Sequence, residues 1–208
     1  MKTMLRNSAM LVVTLGLAMM SAAGQTSAAG GNASKPATPD RFDLGIAFTY
    51  KVAQISNTSQ ERFVMPGGAV DGVFNLKGRF RNLGLAFDFN AEEAKSIQPG
   101  VNLSQVTFVA GPRYTWHDSS PRCNKLGIYG QALVGEVHAF NSLFPSSNGV
   151  NSSASSFALQ LGGGVNLQLT RSMGLRLLEA DYVTTKLPNG TNSFQGDMRM
   201  SNGLTFRF

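Results

Sequence analysis

From Arg41 to Gln54 the chain reads RFDLGIAFTYKVAQ, with Phe42, Leu44, Ile46, Phe48, Tyr50 and Val52 on one parity and Asp43, Gly45, Ala47, Thr49 and Lys51 on the other. A period of two is a strand with one apolar and one polar face, and it cannot be wrapped into a helix without scattering both sets. The same alternation returns over 70–80, 83–90, 105–116, 157–169 and 197–208. Two further segments are less regular. In 126–140 both parities are apolar, so the faces stay unassigned. In 173–185, Arg176 and Glu179 share a face with Asp181 only if an extra residue at Leu177 or Leu178 makes a bulge. The pattern predicts eight strands, with helical periodicity confined to the stretch 91–97.

The connections alternate in length. Residues 55–69, 91–104, 141–156 and 186–193 are expected as long polar loops, and 81–82, 117–125 and 170–172 as short turns. Long loops therefore gather at one end and tight turns at the other, as in an outer-membrane barrel. The fold class expected is all-β, an eight-stranded antiparallel up-and-down transmembrane β-barrel over 41–208.

Composition decides which face is wet. Charged residues make up 14% of the 208 residues, against about 25% in ordinary soluble domains. The polar parity is rich in Gly, Ser, Thr and Asn and carries ions of both signs, which suits a lumen just wide enough for side chains to fill. Asp43, Lys77, Arg79, Asp88, Arg113, Arg176, Glu179, Asp197, Arg199 and Arg207 are expected to form a charge network there. Buried ions must be paired, so the structural role is a plug; a narrow ion-conducting path is the alternative. On the other parity Phe42, Phe80, Tyr114 and Trp116 fall at the turn end, and Tyr50, Phe89 and Tyr182 at the loop end, with aliphatic residues between. Two aromatic girdles around an aliphatic band are what two bilayer interfaces select. A secreted soluble barrel of lipocalin type, which would turn its aliphatic residues inward, does not account for the girdles.

Residues 1–24 carry Lys2 and Arg6, an apolar run from Met10 to Met20, and a small-residue end, which marks a secretory signal peptide. Cleavage is expected after Gly24, with Ala23 or Ala29 as alternatives, followed by a flexible periplasmic tether over 25–40. Removing Lys2 and Arg6 takes the formal charge from +6 to +4. That balance is too weak and scattered for nucleic acid. Cys123 is the one cysteine, so neither an intramolecular disulfide nor a thiolate metal cluster can form.

Several stretches resemble the OmpA-like transmembrane domain and its OmpX-like relatives: FVAGPRYTW at 108–116, IYGQALVGEVHA at 128–139, FALQLGGGVNLQLTRSMGLRLLEADYV at 157–183 and NGLTFRF at 202–208. The resemblance implies export to the bacterial outer membrane and contact there with lipid and lipopolysaccharide. It also implies recognition of Leu204, Phe206 and Phe208 by the outer-membrane assembly machinery. A monomer without cofactor or metal is expected. The function expected is a non-enzymatic structural or surface-interaction role in the cell envelope. An outer-leaflet lipid A hydrolase is the less favoured alternative: Glu136, His138 and Ser142 cluster near the loop end of the fifth strand, but the His-x-Ser spacing of the lipid A deacylases is absent because residue 140 is Phe.

Overall fold

The computed structural model describes residues 42–56, 59–98, 101–117, 125–146, 149–188 and 194–208. The expected signal peptide, the tether and Cys123 lie outside them. Eight strands close into one barrel: β1 (Phe42–Ser56), β2 (Ser59–Asn75), β3 (Leu83–Gln98), β4 (Val101–His117), β5 (Leu126–Ser146), β6 (Gly149–Gln168), β7 (Met173–Thr185) and β8 (Gln195–Arg207). Each pairs antiparallel with its neighbour in sequence, and β1 pairs with β8 from Asp43↔Arg207 to Val52↔Met198 to close the ring. Closure removes the unpaired edges that an open sheet would present.

The strands are longer than the alternation suggests. Residues expected in the loops 55–69, 91–104 and 141–156 continue the ladders, as in Lys51↔Met65, Glu92↔Gln105 and Phe144↔Asn151. The reasons differ: over 149–156 Ser and Asn pair through their backbones as well as any residue does, so a polar ladder leaves no hydrophobic signature, whereas in β2 Pro66, Gly67 and Gly68 carry the signature of a turn and yet pair with β1.

A second correction concerns the β2–β3 turn, expected at residues 81–82. β2 ends at Asn75, the Leu76 amide donates to the Leu83 carbonyl at 2.9 Å, and Gly78–Phe80 forms a single 3-10 turn. Gly78 sits at φ 67°, where a side chain is disfavoured. This turn carries Lys77 and Arg79 out of the barrel, where both are exposed.

In β7, Leu178 pairs with Val165 while Arg176 pairs with Asn166, so Leu177 is the extra residue of a bulge. Leu177 and Leu178 are both exposed, and Arg176, Glu179 and Asp181 are all buried. β5 is also resolved into faces: Tyr129, Gln131, Leu133 and Val137 point inward, while Ile128 and Val134 are exposed.

Candidate functional site: an ionic core within the barrel

The interior is filled in layers. At the turn end, Asp43 accepts from Arg207 Nε at 3.0 Å and from Asn75 Nδ2 at 3.0 Å, and Arg207 Nη1 donates to Gln168 Oε1 at 3.1 Å. This pair is part-exposed, so it adds little to stability.

Above it lies a buried layer in which one contact constrains the next. Arg176 binds Asp71 with both terminal nitrogens, at 2.7 and 2.8 Å. Arg113 lies 4.2 Å from the centre of the Tyr129 ring, donates to Gln131 Oε1 at 2.6 and 2.9 Å, and stands 3.6 Å from Asp71. Tyr129 donates its hydroxyl to Glu179, which also accepts from Ser201 at 3.2 Å. Arg199 serves three carboxylates, Asp88 at 2.5 Å, Asp181 at 2.8 Å and Glu179 at 3.3 Å. Gln160 and Gln131 tie this group to neighbouring strands through Asp88 at 3.0 Å and Asp181 at 3.1 Å. One layer higher, Lys51 Nζ donates to Gln105 Oε1 at 2.8 Å and faces Glu92 at 3.0 Å and Asp197 at 3.9 Å.

An apolar seam runs up the inner wall from Val73 and Ala86 through Val109 and Leu133 to Val137, Ala139, Phe144 and Leu187. Leu103 joins it to a second cluster of Ala53, Met65 and Ala94, against which Phe63 packs. Met65, which pairs with Lys51 in the β1–β2 ladder, and Leu187, past Thr185 toward the loop end, are almost wholly enclosed.

Of the ten residues expected in the network, Asp88, Arg113, Arg176, Glu179, Asp197 and Arg199 lie buried inside, Asp43 and Arg207 sit at the turn-end rim, and Lys77 and Arg79 lie in the exposed turn. Glu92, Tyr129, Gln131 and Gln160 belong to the core without having been marked. Glu92 fell in the stretch with helical character, and Tyr129 and Gln131 in the strand whose faces could not be assigned.

The outward face is the inverse. Ile46, Phe48, Val64, Leu85, Phe108, Ile128, Val134, Leu161, Leu178, Met200 and Leu204 are all exposed. An apolar belt of this extent far exceeds the patches tolerated on water-facing proteins, and it is stable against hydrocarbon. Tyr50, Phe80, Tyr114, Trp116 and Tyr182 stand exposed, whereas Phe42 and Phe89 are half-buried. Tyr114 and Trp116 meet edge to face at 4.7 Å, and Phe42 leans on Phe74 at 4.8 Å. The band between is not purely aliphatic: Phe48, 71% exposed, stands within it. Leu204 and Phe208 are exposed and Phe206 is half-buried.

Ser142 is not the partner of His138. His138 Nδ1 instead lies 2.8 Å from Ser155 Oγ, directly across the β5–β6 ladder.

Neisserial surface protein A superposes with a TM-score of 0.58 at 16% identity, over 80% of this chain and 97% of that one. Ail of Yersinia pestis, solved in complex with the heparin analogue sucrose octasulfate, gives 0.53 at 17% identity over 82% and 100%. The chain has the eight-stranded outer-membrane barrel fold. No family model and no curated protein matches it. Within that barrel fold the shared feature is architecture, and activity must be read from this chain's own residues.

Proposed function

We infer that the chain is an integral barrel of the bacterial outer membrane whose lumen is a sealed core rather than a pore, and whose work is done by what projects from it. What carries the reading is the filling of the lumen: Arg113, Arg176 and Arg199 cross it to carboxylates on other strands, and Phe144, Leu187, Leu103 and Met65 close the loop end. Ions moving through would have to break pairs that sit away from water. The role is structural or interactive and non-enzymatic. Lipid and lipopolysaccharide surround the belt, and Leu204, Phe206 and Phe208 serve the assembly machinery.

The interacting element is the β5–β6 hairpin. β4 stops pairing with β5 at Phe140, and β7 stops pairing with β6 at Ala158. Beyond those rows, among the described residues, Gly149–Phe157 of β6 has β5 on one side and no strand on the other. A free edge is normally blunted by lysine, proline or a charged side chain. Here GVNSSASSF contains none of them, and no Asp, Glu, Lys or Arg occurs from Val137 to Thr170. An uncharged, exposed edge suits main-chain pairing with an extended peptide. A polyanion of the kind bound to Ail would find no cation on this hairpin.

The test is selection of linear peptides from a displayed library on the refolded barrel, followed by Ala154→Pro. Peptides that bind the native chain and lose at least tenfold in affinity for the variant support strand addition. Failure to select any peptide, or binding indifferent to the proline, overturns it.

A further inference from the structure

The belt contains a polar side chain, midway along its strand, that the fold does not explain. Asn202 on β8 is exposed on the outward face, between Met200 and Leu204, which are exposed as well. It pairs with Phe48 of β1, two places along the strand from the Tyr50↔Met200 pair and two from Ile46↔Leu204. That places it among the apolar rows of the belt, away from either end of the strand. Its neighbours on the outward face offer the amide no donor or acceptor: Phe48, Met200 and Leu204 are apolar, and on the other flank β7 presents the exposed Leu177 and Leu178 of its bulge.

An uncharged amide carries two donors and an acceptor with two lone pairs. In hydrocarbon these groups have no water to satisfy them, and a polar side chain in that setting marks a functional contact. The group that complements an asparagine amide most simply is a second asparagine amide, donor to acceptor in both directions.

We propose that Asn202 is the centre of an isologous dimer interface in the membrane, its partner a second copy of this chain. Both barrels must sit the same way up, so the two-fold axis runs along the membrane normal and preserves depth. Asn202 of one copy then faces Asn202 of the other. The rotation exchanges left and right flanks, so β1 of each copy, with its protruding Phe48, lies against β7 of the other, where the bulge adds Leu177 and Leu178 to the outward face. The interface is thus an amide pair within an apolar surround, in which each wall supplies what the other lacks. It departs from the monomer expected from the sequence. It rests on the reading that the belt meets lipid, and the experiment scores that separately.

The experiment uses Cys123→Ser protein carrying Met200→Cys, which leaves the Asn202 amide in place and stands two residues from it on the same outward face, expressed in outer membranes and treated with a short bis-maleimide. Phe108→Cys, on the far wall at β4, is the control. Heat-modifiable mobility of each variant establishes that it is folded and inserted. In parallel, the native chain and Asn202→Leu and Asn202→Gln variants are refolded in detergent and sedimented. The expected result is a cross-linked band at twice the barrel mass for position 200 and none for position 108, with dimer retained by Asn202→Gln and lost by Asn202→Leu. Equal cross-linking at both positions, cross-linking of position 200 to a different protein, or a monomer at every detergent ratio overturns the proposal. A heat-modifiable barrel that sediments as a monomer rejects the dimer while leaving the membrane reading intact.

Discussion

Arg176 on β7 and Asp71 on β2 meet across the lumen in a two-point ion pair, at 2.7 and 2.8 Å, from positions 105 apart in sequence. Both are buried, and Asp71 also faces Arg113 at 3.6 Å. Removing one partner leaves an uncompensated charge in a medium that solvates it poorly, which costs about 3–5 kcal/mol. Arg176→Leu is therefore expected to lower the unfolding free energy of the barrel in lipid vesicles, read from urea titration, by that amount. The double variant Asp71→Leu with Arg176→Leu should lose less than the two single variants together, because it strands no Arg176–Asp71 charge.

The rim pair provides the contrast. Asp43 and Arg207 form a bond of similar length, 3.0 Å, with more than a quarter of each side chain exposed. Water and salt screen it, so Arg207→Gln should cost less than about 1 kcal/mol in the same unfolding measurement.

Gly45 tests whether the glycines of the inner face make room for ions. A Cβ there would stand 2.8 Å from the Asp71 carboxylate carbon and 3.0 Å from Arg176 Nη2, with an Asp71 oxygen closer still. Gly45→Ala is expected to displace the pair and cost about 1–3 kcal/mol by overpacking. Gly78, whose positive φ sits in an exposed turn with nothing near its Cβ, should cost roughly 1 kcal/mol on the same change, from backbone strain alone. Equal losses at both sites would show that packing around the ion pair is not what Gly45 serves.

The barrel itself was legible because its apolar parity must be continuous to meet lipid, and a break of one residue would have turned a row of side chains inward. The β7 bulge was legible for the same reason: Arg176, Glu179 and Asp181 cannot all avoid lipid without an extra residue between the first two. The strand extensions were not legible, since Ser153 and Asn151 pair through backbone groups that every residue owns. Lys77 and Arg79 were misplaced because alternation in FNLKGRF continues through a turn that Gly78 closes by its backbone angle. The network's central members Tyr129 and Glu92 depend on which strands lie opposite one another, a relation set by closure and absent from any single segment.

Conductance distinguishes a filled lumen from a gated one. Refolded protein in planar bilayers is expected to give no single-channel steps. The Phe144→Ser, Leu187→Ser variant should stay silent as well, because it opens only the apolar end and leaves Arg199 held by Asp88 and Asp181 below. Steps in the native chain would contradict a sealed core.

Orientation underlies everything else, and adjacent residues on one strand measure it most directly. In a Cys123→Ser background, spin labels at Val134→Cys and at Leu133→Cys would be read in lipid bilayers for collision with oxygen, which concentrates in hydrocarbon, and with a water-soluble nickel chelate. Val134 is exposed on the outward face and Leu133 is buried inside. The expected result is high oxygen and low nickel collision at 134, with low collision for both reagents at 133. High nickel collision at 134 would mean that the apolar face meets water, and the membrane-spanning barrel would have to be abandoned.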